Sequence, residues 1–155
     1  MPRLERPHFD PSYGITGEPE GASWPATEAK LAASRNYWVA TTRRDGAPHA
    51  KPVWGLWRDG ALWFGCAANS VTGRNLARDP RIAVHLESGD DTVILEGRVQ
   101  VIAPTPELVL AYNRKYAQPD DQEAEGAAWY RFAPSVALTW LESDFLKTAA
   151  RWVFN

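Results

Sequence analysis

The chain has 155 residues, of which 45% are hydrophobic and 23% charged, with a net charge of −2. That length and balance suit one globular domain with its own core, and they exclude a broadly basic nucleic-acid surface or a polybasic membrane patch. The single cysteine, Cys66, excludes an internal disulfide, and one cysteine with three scattered histidines gives no metal site.

Residues 1–26, MPRLERPHFDPSYGITGEPEGASWPA, carry five prolines and three glycines and no strand or helix period. They predict an extended N-terminal arm lying on the surface or crossing to a partner, with the folded domain over 27–155. No signal-peptide core and no apolar run of membrane-spanning length is present, so cytoplasmic residence is expected.

A short helix follows over 27–36, with Thr27 as its cap. Asp45-Gly46 and Asp59-Gly60 each sit between runs rich in aromatic and β-branched residues, the pattern of tight hairpins. They predict strands near 37–43, 47–57 and 61–66. Pro48 and Pro52 fall inside the middle strand, which must therefore be bulged or open on one side.

NSVTGRNLARDP predicts a helix capped by Asn69 or Ser70 and stopped near Pro80. A strand over 81–87, an SGDD turn and a long strand over 92–102 come next. TPELVLAYNRKY is a helix with Thr105 as cap and Pro106 at its first position. Residues 117–127 are acidic and nearly free of hydrophobes, so a mobile surface loop is expected. SVALTWLES is the last full strand, and the tail ends in the apolar Trp152, Val153 and Phe154. About six antiparallel strands with short helices between them argue a small barrel.

The chemistry concentrates in residues 70–81. A helix start presents unpaired N–H groups and a positive dipole end. Ser70 and Thr72 add hydroxyls there, and Arg74 and Asn75 follow within a turn, which together make an anion cradle. The same pattern suits an exposed basic helix face, with Arg78 and Arg81 paired to the acids of the following turn. His49 is a candidate proton donor, although no carboxylate stands at a useful spacing from it. His85 alternates with strand residues, and Cys66 ends a strand in apolar company; both suit packing roles. Eight tryptophans are many for this length, and suit a ligand cleft or an interface. Trp54 is the candidate ligand-side residue, with Trp57 and Trp63 as packing. Trp24 and Trp152 suit either a pocket entrance or an interface.

Three stretches, DGAPHAKPVWGLWRDGALWFGC, GRNLARDPRIAVHLESGDDTVILEGRVQVI and the C-terminal ARWVF, resemble the pyridoxamine 5'-phosphate oxidase-like flavin and deazaflavin split-barrel proteins. The likeness covers roughly residues 28–154. It implies a mainly β, six-stranded antiparallel split barrel that forms a homodimer. It also implies FMN or the deazaflavin coenzyme F(420) in a groove between protomers. By position, Ser70, Thr72, Arg74 and Asn75 fall at the cofactor's phosphate, and Lys51, Pro52, Val53 and Trp54 along its ring. Arg151 and Trp152 would come from the partner chain. One position departs from the pattern: many relatives carry a lysine where Thr72 stands here. The phosphate would then rest more on Arg74, Lys51 and N–H groups.

The implied activity is hydride transfer between the cofactor and a small organic acceptor. A non-catalytic flavin or deazaflavin carrier or sensor is an alternative. Another is a haem or tetrapyrrole module using His49 or His85. Arg43, Arg44 and Arg78 are spare cations that suit the acidic tail of coenzyme F(420). No nucleic-acid or membrane partner is expected.

Overall fold

The computed structural model describes residues 1–155, and most of its elements follow the hydrophobic periods of the sequence. In chain order these are β1 (Arg3–Glu5), α1 (Trp24–Ala33), β2 (Tyr37–Thr42), β3 (Pro48–Val53), β4 (Leu56–Arg58) and β5 (Ala61–Ala67). Then come α2 (Val71–Arg78), β6 (Arg81–His85), β7 (Asp91–Ile102), α3 (Pro106–Lys115), β8 (Ala127–Leu141), α4 (Phe145–Thr148) and β9 (Ala150–Val153).

All pairings are antiparallel. Strand order runs β1-β9-β8-β7-β6-β2-β3, while β5 joins β4 to β8. Strands β3 and β4 are successive parts of one path, so the sheet returns on itself through β2, β3, β4, β5, β8, β7 and β6. The gap between Val53 and Leu56 is the split: β3 pairs only with β2, and β4 only with β5. The six expected strands are present, the second of them divided at Trp54-Gly55, and short β1 and β9 are added at one edge.

Alternation places Tyr37 and Val39 of β2, Leu62 and Phe64 of β5, Val84 of β6, Leu95 of β7 and Phe132 of β8 inside. Each large apolar side chain sealed this way contributes roughly 1.5–3 kcal/mol. The β7–β8 register shifts at Glu96/Gly97, opposite Pro134, which has no N–H to give the ladder. A side chain at Gly97 would lie 3.0 Å from the Ala133 carbonyl, so glycine fits the bulge.

Several expectations are corrected. Ser23, not Thr27, caps α1, its Oγ accepting the Ala26 N–H at 3.3 Å. The domain therefore begins inside the stretch assigned to the arm. The rest of the arm lies on its own chain, one of the two expected placements: Arg3–Glu5 pairs with β9, and Phe9 stacks on Phe145 with centroids 5.9 Å apart. Strand β8 starts at Ala127 and runs for 15 residues, so its first half lay unread beyond the acidic loop. That loop is stapled: Asn113 Nδ2 donates to the carbonyls of Asp120 and Gln122 at 3.2 and 2.9 Å. The apolar tail is strand β9, whose Trp152 is 3% exposed, lies against Trp24 and donates from Nε1 to Thr139 Oγ1 at 2.9 Å. Trp24 and Trp152 are thus core residues of their own chain, each 3% exposed.

Candidate cofactor-binding site

Ser70 starts α2. Its Oγ accepts the Gly73 N–H at 3.0 Å and donates to the Ala67 carbonyl at 2.7 Å, so the hydroxyl is committed to capping. A Cβ at Gly73 would sit 2.5 Å from the Ala67 oxygen and 2.6 Å from that of Ala68. Only glycine lets the helix begin this close to the end of β5, and the next residue is Arg74.

Asn75 is 4% exposed and donates from Nδ2 to Thr41 Oγ1 at 3.0 Å, tying α2 to β2. Arg78 donates to the Thr42 carbonyl. Between helix and hairpin lies a cleft of about 440 Å³ lined by Arg43, Arg44, Val71, Arg74, Asn75 and Arg78. No carboxylate lines it. The nearby Asp45 is occupied by its own turn, accepting the Ala47 N–H at 3.0 Å. The six ion pairs of the chain use none of the cleft's four arginines and not Lys51. Four unneutralised guanidiniums, two along α2 and two on the β2–β3 hairpin, fit a phosphate-bearing, multiply charged ligand.

Strand β3 supplies the neighbouring wall. His49 pairs with Thr41 and Lys51 with Val39, so both lie on the face of the sheet that carries the Thr41–Asn75 bond. His49 Nδ1 is 3.4 Å from Arg43 Nη2, which makes Nδ1 the acceptor and puts the neutral ring's proton on Nε2. The outer edge of β3 has no partner strand, as the prolines required.

Val53 is buried, and Trp54 is 36% exposed. Trp54 stacks on Tyr116 with centroids 4.4 Å apart and planes 5° from parallel. The Arg35 guanidinium lies 5.5 Å from Trp54 and 5.4 Å from Tyr116. Gly55 sits in the split and lacks ladder partners. Its N–H donates to Tyr116 Oη at 2.8 Å, and its carbonyl accepts from Lys115 Nζ at 2.8 Å. Lys115 also donates to Tyr37 Oη at 2.9 Å. Burial, aided by the Arg35 charge, lowers Lys115 to about 8. Burial raises Tyr116 as well, and pushes Tyr112 up to about 12.

Of the residues expected at a phosphate, the structure gathers Arg74 and Asn75 in one cleft, with Arg43, Arg44 and Arg78 around them. Thr72 is corrected: it is fully buried, and its Oγ1 has no partner. A hydroxyl without exposed surface offers nothing to a ligand. Arg151 pairs with Glu5 at 2.5 Å within its own chain, and Trp152 is in the core. Arg81 pairs with Asp79 at 2.7 Å rather than with the SGDD turn. His85 lies on the outer face, stacked on Trp38, with Nδ1 donating to the Leu86 carbonyl at 2.7 Å. Arg35, Lys115 and Tyr116 were not anticipated, since only the fold brings α3 to the split. The one local hint was Gly55, a glycine three residues after a strand proline.

A ring of antiparallel strands opened at Gly55 defines a split-barrel protein. Residues 23–141 match the family model described as pyridoxamine 5'-phosphate oxidase, and the chain belongs to that family. No curated protein sequence matches it. Among solved structures it is similar to a conserved hypothetical protein from Mycobacterium tuberculosis, with a TM-score of 0.70 and 24% identity over 81% of this chain and 90% of that one. An F(420) reductase gives 0.62 and 24%, covering 77% and 97%. The haem storage protein HutZ from Vibrio cholerae gives 0.62 and 10%, covering 72% and 89%. Likeness at these identities speaks for the fold. No helix is long and apolar enough to cross a membrane.

Proposed function

We propose that the protein is an oxidoreductase that binds a phosphate-bearing flavin-type cofactor, coenzyme F(420) or FMN, and passes a hydride between it and a small organic molecule. The observation that carries this reading is the basic cleft between α2 and the β2–β3 hairpin, four arginines without a carboxylate, near the unpaired edge of β3. An F(420) reductase among proteins of the same fold supports it.

The ring, when bound, supplies the hydride chemistry. The chain's part is to bind and orient. Arg74 and Lys51 neutralise phosphate, and free N–H and C=O groups on β3 meet polar ring edges. Arg43, Arg44 and Arg78 take further negative charge. FMN has one phosphate to offer, whereas coenzyme F(420) adds an acidic oligoglutamate tail. The number of guanidiniums outside ion pairs therefore favours the deazaflavin. His49 holds a proton on Nε2 and is the candidate donor. On this reading a second copy of the chain covers the open edge of β3, and the protein works in the cytoplasm, where a lone thiol stays reduced.

Titrating the purified protein with each cofactor, followed by tryptophan quenching, tests the reading. Tight binding of one cofactor, weakened about ten-fold or more by Arg74→Ala, is expected. Binding of neither removes the redox function. A second reading, haem binding, rests on His85, whose Nδ1 bond to Leu86 leaves Nε2 free as a ligand atom. A Soret band on adding haemin, lost in His85→Ala, would favour it.

A further inference from the structure

A second cavity, of about 310 Å³, opens at the end of β5, against α3 and the start of β8. Its walls are Trp54, Tyr112 and Trp129. A Cβ on Gly65 would lie 3.0 and 3.1 Å from two atoms of the Trp129 indole, so this ring lies against the bare backbone of β5. Tyr112 meets Trp129 edge-on, with centroids 5.0 Å apart and planes at 75°. Tyr116 backs both other walls, 4.4 Å from Trp54 and 5.1 Å from Tyr112. The aromatic walls are therefore braced before any ligand arrives.

The polar groups at this cavity are as telling as the rings. They include the amides Gln118 and Gln122 and the carboxylate Glu125, and no lysine, arginine or histidine lines it. The basic cleft lies on α2, whose cap, Ser70, is three residues beyond the cavity residue Ala67. The chain thus divides its chemistry, with cations along α2 and the hairpin and apolar rings with amides at the end of β5.

We propose that this cavity is the substrate pocket and that it selects an uncharged, planar aromatic molecule of one or two rings. It discriminates against a phosphorylated or otherwise anionic ring, because nothing in it compensates a buried negative charge and Glu125 repels one. Pockets for organic ligands start at about 300 Å³, so the volume admits a small ring system and little more. The assignment of the ligand as substrate rests on the function proposed above; the selectivity rests on the cavity alone.

Calorimetric titration of the full chain with 2-naphthol and with 2-naphthalenesulfonate tests it, each with and without saturating cofactor. The neutral ring should bind about ten-fold or more tightly than the sulfonate, with or without cofactor. Trp129→Ala should weaken the neutral ring. Gln118→Arg, a change at the partly exposed rim, should raise affinity for the sulfonate and narrow the preference. Equal binding of the two probes, no binding of 2-naphthol, or its displacement by cofactor would overturn the proposal, the last by making the cavity the seat of the cofactor's own ring. Failure of both cofactors to bind while 2-naphthol still binds would refute the redox function and leave the pocket's selectivity standing.

Discussion

Tyr116→Phe removes one oxygen from the place where the barrel is open. That oxygen accepts the Gly55 N–H at 2.8 Å and donates toward the carbonyls of Arg35 and Gly55, at 2.7 and 2.9 Å. Tyr116 is 3% exposed, so water does not replace it. The Gly55 carbonyl keeps Lys115, but the buried Gly55 N–H is left with nothing. An orphaned donor costs roughly 1–3 kcal/mol, and the lost bond to Arg35 about 1 more, so a loss of about 2–4 kcal/mol is expected. With an unfolding entropy near 2.1 cal/mol/K per residue, a chain of 155 residues loses about 3 °C of Tm per kcal/mol, or roughly 6–12 °C here. The stack with Trp54 needs only the ring, so the fold should persist. Urea unfolding and a thermal melt measure the change. A loss below about 0.5 kcal/mol would refute the view that Tyr116 holds the split.

Lys115→Met tests the same latch through pH. Lys115 is lowered to about 8, against 10.5 for a free lysine. Between those values the unfolded chain binds the proton and the folded chain does not, so stability rises with pH across this window. The raised tyrosines act the other way, but only above about pH 10, where they ionise on unfolding. Relative to wild type, the variant should lack the rise from about pH 8 to 10 in urea unfolding; an unchanged slope would count against the buried amine. Thr72→Val replaces a fully buried hydroxyl that has no partner with a methyl of similar size. A gain of about 1 kcal/mol is expected in the same assay, with cofactor affinity unchanged. Weakened cofactor binding would return Thr72 to the cleft.

Much of this molecule is written in local chemistry. Alternation and two Asp-Gly turns announce β2 to β5, because a side chain's face depends only on its parity along the strand. Thr105-Pro106 and Ser70 mark the starts of α3 and α2, because capping and proline geometry act within one turn. The prolines of β3 foretell its open edge, and the arginines of residues 74–78 foretell a basic face. Other features depend on contacts far apart in sequence. Strands β1 and β9 are too short to be recognised without each other and β8. The first half of β8, AAWYRFAP, is apolar, but Pro134 cuts it off from the second half until β7 pairs with both. Trp152 and Thr72 look available in sequence, and the packing of α1 and α2 buries them. The site shows the same division. Residue type makes the cations legible, but only the fold decides which of them escape ion pairs, and only the approach of α3 to the split brings Lys115 and Tyr116 to Gly55 and turns Trp54, Tyr112 and Trp129 into the walls of one cavity.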